Sequence, residues 1–81
     1  MEAEKEQKRS IDRLNVHVKI AEEWVMKKYD TAEAFGKVDD LMIEAGRMFE
    51  EWGIGMNQTL DMDTMIDALS FVQTHRDVYF Q

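Results

Sequence analysis

The histidine and serine residues are the best candidates for nucleophilic or acid–base catalysis in this chain. Their spacing supports neither kind of catalysis. Ser10 and Ser70 lie outside any nucleophile elbow and have no activating His–Asp pair nearby. His17 and His75 lack a ligand partner three or four residues away, as a helical metal site requires. We predict no catalytic residue, no metal and no cofactor, and we expect both histidines at the surface or at its boundary.

The acidic residues also fail to form a recognisable site. Asp61 and Asp63 begin a segment that resembles the opening of a calcium loop, but Ile66 replaces the turn glycine and Val72 replaces the final glutamate. Adjacent glutamates elsewhere point about 100° apart on a helix, so they do not converge on one substrate atom. The sequence therefore predicts a protein that is not an enzyme.

Composition indicates a folded, acidic chain. Hydrophobic residues make up 44% and charged residues 33% of the 81 residues, and the net charge is −7. Residues 1–30 carry seven basic and seven acidic residues, whereas residues 31–81 carry three basic and ten acidic ones. This charge disfavours direct nucleic-acid binding and favours a protein partner with a basic surface.

The chain contains no cysteine, which removes disulfides and thiolate chemistry. No apolar run reaches the length of about 18 residues that a membrane span requires, and the first residues lack the apolar core of a signal peptide. We expect a cytoplasmic protein without membrane insertion.

Hydrophobic periodicity predicts an all-α fold in one domain, residues 1–81. The three predicted helices cover approximately 4–28, 31–52 and 62–75, with a loop at 53–60. The same bundle allows a short fourth helical turn at the C-terminus. The sequence leaves open whether residues 78–81 are ordered.

The first helix carries two apolar stripes on opposite sides. One stripe follows the spacing of a core face, and the other consists of Val16, Ile20 and Trp24. Either the helix is sandwiched between the other two, or the second stripe is left for a partner. We expect the latter, with Trp24 as the residue that contributes most to binding.

Capping signals delimit the other two helices. Asp30 to Glu33 has the form of a capping box, Gly53 that of a left-handed C-cap, and Asp61 that of an N-cap. Gly36 indicates a kink or a later start of the second helix. The predicted core stripe of that helix is Phe35, Val38, Met42, Ala45, Phe49 and Trp52, widened by Leu41 and Met48.

These features predict a small non-catalytic regulator or inhibitor that binds another protein. The apolar face of the first helix, the acidic face of the second and an outward aromatic residue of the third would form the contacts. The predicted partner-binding residues are Val16, Ile20, Trp24, Asp40, Glu44, Glu51 and Phe71. Self-association into a homodimer through the first helix is the simplest version.

Two further functions remain open. The carboxylates of the second and third helices could imitate the phosphates of a nucleic acid and block a DNA-binding protein; they are Asp39, Asp40, Glu44, Glu50, Glu51, Asp61, Asp63 and Asp67. Alternatively, the chain is a structural subunit of a larger assembly. In its length, its acidity and its lack of a catalytic motif, the chain resembles the accessory proteins of bacteriophages, such as host antagonists or lysis modulators.

Overall fold

A computed structural model describes residues 2–54 and 59–80, with the side chains of the first helix described from Asp12 onward. All regular secondary structure in these residues is helical, which confirms the predicted all-α bundle. The helices are α1 (Glu2–Lys28), α2 (Ala32–Gly36), α3 (Leu41–Trp52), α4 (Met62–Thr74) and α5 (Arg76–Tyr79). Residues 55–58 of the predicted loop, and Gln81, lie outside the described residues.

Two of the predicted helix boundaries are confirmed by their capping geometry. Gly53 ends α3 with φ 66°, in the left-handed region that glycine adopts without steric cost. Asp61 precedes α4, and its Oδ1 accepts a hydrogen bond from the Thr64 backbone N–H at 2.8 Å. The additional helical turn predicted at the C-terminus is also present, as α5.

The prediction of a single helix over 31–52 is wrong, whereas the interruption predicted at Gly36 is present. The helix ends at Gly36 and a second one begins at Leu41, after Asp40. The Asp40 carboxylate accepts hydrogen bonds from the backbone N–H groups of Met42 at 3.0 Å and Ile43 at 3.4 Å. A side chain that caps the first turn in this way favours a helix start at that position over continuation.

The capping box is also placed differently from the prediction. Thr31, not Asp30, is the N-cap of α2, and its hydroxyl accepts a hydrogen bond from the Ala34 backbone N–H at 3.1 Å.

A side chain of α4 satisfies backbone carbonyls at the break between α2 and α3. The Gln73 side-chain amide donates to the carbonyl oxygens of Phe35 at 3.3 Å and Val38 at 3.0 Å. Carbonyls exposed by a helix break need such partners. Gln73 therefore stabilises the break and joins it to the end of α4.

The core lies where the C-terminal half of α1 meets α3 and α4. Every helix except α5 contributes a residue to it, and Trp52, Tyr79 and other partly buried side chains pack around it. The buried hydrophobic residues are Ala21, Trp24, Val25, Phe35, Ala45, Met48, Met65, Ala68, Leu69 and Val72.

The two longest helices of the bundle, α1 and α4, run in the same direction. His17 and Arg13 contact Asp61 at the start of α4, whereas Gln73 at its end contacts Phe35, which follows α1 and packs on Tyr29. At 1.5 Å per residue, the first eleven residues of α1 extend roughly 16 Å beyond the start of α4.

His17 lies inside the protein, so the prediction of a surface or boundary histidine is wrong. It is fully buried, its Nδ1 lies 2.7 Å from the Arg13 carbonyl oxygen, and its Nε2 lies 3.1 Å from the Asp61 backbone nitrogen. Because a carbonyl only accepts and an amide N–H only donates, the ring must be neutral with its proton on Nδ1. This imidazole therefore links α1 to the N-cap of α4.

The same junction is strengthened by charge. The Arg13 guanidinium forms an ion pair with the Asp61 carboxylate. The pKa of that carboxyl is lowered, first by the hydrogen bond from the Thr64 backbone N–H and further by the Thr64 hydroxyl and by Arg13, although burial opposes the shift.

His17→Leu should lower the free energy of unfolding by about 2 kcal/mol, because it keeps an apolar body but leaves the Asp61 backbone N–H without its acceptor. The Arg13 carbonyl loses its bond to the ring and keeps its bond within α1. Urea denaturation measures the loss, and exposed His75→Leu is the matched control. The ¹⁵N chemical shifts of the His17 ring at pH 8 should report the Nδ1–H tautomer. Protonation on Nε2 alone would contradict the assigned hydrogen bonds.

Candidate functional site

The second apolar stripe of α1 is covered at one end and open at the other. Trp24 is 2% exposed, Ile20 is half-buried, and Val16 is 53% exposed. The Trp24 ring packs edge-on against Trp52 of α3, with the ring centroids 5.2 Å apart and the planes at 83°. The prediction of an exposed Trp24 available to a partner is therefore wrong, because α3 already covers it.

Glu44 was expected on an exposed acidic face and is instead 3% exposed. The Trp24 indole Nε1–H donates to Glu44 Oε1 at 2.7 Å. The Tyr29 phenol is also hydrogen-bonded to this carboxylate. A buried carboxylate needs such donors, since its transfer from water is otherwise costly. These three residues, here called the Trp–Glu–Tyr cluster, join α1 to α3.

The environment of the cluster raises the pKa of Tyr29 to about 12. Burial of the phenol is the largest cause, followed by its hydrogen bond to Glu44 and by the charge of that carboxylate. The charge of Arg47 acts in the opposite direction and lowers the pKa of Tyr29.

No continuous acidic face forms on the second predicted helix. Of its predicted binding carboxylates, Glu44 is buried, Asp40 caps α3, and Glu51 lies 3.8 Å from the Lys28 ammonium. Asp61 is paired with Arg13. Four of the eight carboxylates proposed to imitate nucleic acid are thus engaged within the chain, which weakens that alternative.

A groove of about 190 Å³ lies beside the two tryptophans. The Lys28 ammonium lies 4.5 Å from the centroid of Trp24, and the Lys27 ammonium lies 5.8 Å from that of Trp52. Glu51 completes the lining. Because the lysines already pair with rings and Glu51, these interactions stabilise the α1–α3 contact and leave little charge to attract a ligand.

A second depression, of about 270 Å³, lies at the open end of the α1 stripe and is lined by Asp12, Arg13, Val16, His17 and Thr59. Val16 is its exposed apolar residue, while the groups of His17 and Arg13 that could bind a ligand contact the Asp61 junction. This depression offers one apolar contact next to an ion pair.

Phe71 points away from the core, as predicted, but it is not isolated. Its ring packs against that of His75 with centroids 4.3 Å apart, and His75 Nδ1 lies 2.9 Å from the Phe71 carbonyl oxygen. The pair sits at the C-terminal end of α4 and presents a small aromatic surface.

Among the described side chains, α3 carries two exposed apolar neighbours. Met42 is 59% exposed and Ile43 is 53% exposed, and half-buried Phe49, which also packs against the core, lies at the edge of this side. Gly46 lies between them and leaves a notch, because a Cβ added there would meet nothing within 4 Å. We call Met42, Ile43, Gly46 and Phe49 the α3 face.

Sequence reasoning placed Met42 in the core stripe and therefore missed the α3 face, whereas Phe49 packs against the core as predicted. The predicted stripe assumed that residues 37–40 continue one helix. The chain breaks there instead, and α3 begins with a different rotation about its axis. Met42 turns outward and Glu44 turns inward as a result. The usable signal was Asp39-Asp40 followed by apolar residues, the pattern of a new N-cap.

Other site types find no support in the described part of the chain. Among these residues, no group of three or more potential ligands is placed to hold a metal ion. None of the described helices is both long and apolar enough to cross a membrane. In comparisons with protein-family models, curated proteins and solved structures, nothing matches this chain.

Glu44→Leu should lower the free energy of unfolding by about 2 kcal/mol, because the Trp24 N–H and the Tyr29 hydroxyl both lose their acceptor. Glu44→Gln keeps an acceptor oxygen of the same reach and should cost less than half as much. Urea denaturation monitored by tryptophan fluorescence compares the two. Equal losses would show that the cluster acts through volume and not through hydrogen bonding.

The two tyrosines should make the protein less stable at alkaline pH. Tyr79, which is partly buried and hydrogen-bonded to Glu22, also has a pKa of about 12. Between pH 10 and 12 the unfolded chain loses phenolic protons that the folded chain keeps, so the free energy of unfolding falls as pH rises.

The corresponding stabilisation is fully present below pH 10. Spectrophotometric titration at 295 nm should show tyrosinate above pH 11 in the folded protein and near pH 10 in urea. In the Tyr29→Phe/Tyr79→Phe variant, the alkaline decline in stability should become shallower. An unchanged slope would contradict the assigned environments.

Proposed function

We propose that this chain is a non-catalytic protein-binding domain, a regulator or inhibitor that docks on another protein through the α3 face. The observation that carries the proposal is that Met42 and Ile43 are each more than half exposed on α3, with side chains about 100° apart on its outer side. Exposed apolar side chains that lie together on a small protein are typical of interaction surfaces.

The α3 face is supported by a rigid base, which favours binding without a large entropic cost. Glu44, on the opposite side of α3, is fixed by Trp24. The helix start is fixed by the Asp40 cap, and the preceding segment by Gln73. Binding residues carried on a helix held at these points are pre-organised for a partner.

This proposal differs from the sequence-based one in its surface. Self-association through Val16, Ile20 and Trp24 loses its central aromatic residue, because Trp24 packs inside the chain. Of that stripe, Val16 is left as the one exposed apolar side chain. The α3 face combines three apolar side chains with the notch at Gly46, and it is therefore the better candidate for the binding surface.

Methionine suits such a surface. Its unbranched thioether side chain adapts to irregular partners, and Met42 contributes the most exposed side chain of the α3 face. A regulator of this size acts by occupying a surface of its target, since the described residues hold no catalytic arrangement. Its action in the cytoplasm is part of the same proposal.

A photoreactive benzoylphenylalanine at position 43 tests the function in the cells that make the protein. The matched control carries the same residue at position 26, where Met26 is 56% exposed on α1. We expect one discrete cross-linked protein from position 43 and none from position 26. Ile43 faces solvent, so both variants should keep the helical circular dichroism of the wild type.

Two results would count against this function. Identical cross-linked products from both positions would show general surface adhesion, and the absence of any product from position 43 would show that the α3 face is unoccupied. A product of twice the chain mass would instead make the partner a second copy of this chain.

A further inference from the structure

We infer that the partner segment on the α3 face is a basic amphipathic helix with a small residue seated over Gly46 and with lysine or arginine along its flanks. This inference rests on the proposed function and adds the chemistry of the partner. It is carried by two features of the described structure, the shape of the α3 face and the charges beside it.

The shape of the α3 face suits a helix. Met42, Gly46 and Phe49 follow one another at spacings of four and three, so they lie within an arc of about 60°. The row is about 10 Å long, or two helical turns. A missing side chain in the middle of an apolar row lets another helix approach closely, with its own small residue above the gap.

The notch at Gly46 is open, unlike the space at another glycine. A Cβ at Gly46 would meet nothing within 4 Å, whereas one at Gly36 would lie 2.7 Å from Arg76 Nε. Gly36 is thus used by packing within the chain, whereas Gly46 faces outward. Glycine also weakens a helix interior relative to alanine, and no contact among the described residues requires it at position 46.

Negative charge borders the apolar row. Asp39 and Glu50 are exposed at its two ends. The cation of α3, Arg47, is exposed one turn after Ile43 and adds a single positive charge beside the row.

The charge of the surrounding chain has the same sign. Residues 31–81 hold ten acidic and three basic residues, so the potential around the α3 face is negative over a longer range. Such a surface attracts a cationic segment, raises its association rate and repels an acidic one. The apolar centre and the acidic border of the α3 face together favour a basic, amphipathic partner.

Two synthetic 18-residue helices test this inference against the full-length chain. Both carry the same stripe of alanine and leucine, and one has lysine on its flanks whereas the other has glutamate. Titration followed by ¹H–¹⁵N correlation spectra gives the affinity and the site. We expect the lysine peptide to shift the resonances of Met42, Ile43 and Gly46, and to bind at least tenfold more tightly than the glutamate peptide.

Gly46→Leu separates fitted binding from general attraction between charges, because it fills the notch without changing any charge. We expect it to weaken binding of the lysine peptide at least tenfold, whereas Met26→Ser, on α1, leaves the affinity unchanged. Leucine favours helix more than glycine, so the variant should fold. Unchanged binding to Gly46→Leu would overturn the inference.

Other outcomes separate this inference from the proposed function. If both peptides bind the α3 face equally and Gly46→Leu weakens both, the face is a docking surface but the basic partner is wrong. If neither peptide shifts these resonances, the helical partner is wrong, while cross-linking from position 43 still decides whether the face binds a protein.

Discussion

A carboxylate buried between two helices is the constraint on which the arrangement of this protein depends. Glu44 would be unstable in the interior without donors, and the indole of Trp24 and the phenol of Tyr29 supply them. Because both donors belong to α1 and its end, satisfying Glu44 fixes the rotation of α3 about its axis. That rotation hides Trp24 and at the same time turns Met42 and Ile43 toward solvent.

The periodic and capping signals predicted the parts of the fold that depend on neighbouring residues. The helical class, the cap at Asp61 and the left-handed glycine at Gly53 all follow from local chemistry and are present. The break after Gly36 was only partly signalled, because its carbonyls are satisfied by Gln73 from a distant helix. Interactions between residues 35 positions apart leave little trace in a local pattern.

The candidate site was harder to predict for the same reason. Acidic residues are exposed in most proteins, so a buried Glu44 requires knowledge of the donors that meet it across the interface. His17 was placed near the surface because its two hydrogen-bond partners are backbone groups, which no residue pattern displays. Because the rotation of α3 was predicted wrongly, the sequence analysis assigned to Trp24 the binding role that we propose for Met42 and Ile43.

The link from Gln73 to the α2–α3 break makes the orientation of the binding helix depend on a side chain outside it. One amide group on α4 contacts both Phe35 and Val38, immediately before the turn that starts α3. A substitution there would let the first turn of α3 move while leaving every contact residue intact. If the α3 face binds a target as proposed, substitutions at Gln73 would alter that binding from a position outside the footprint of the complex.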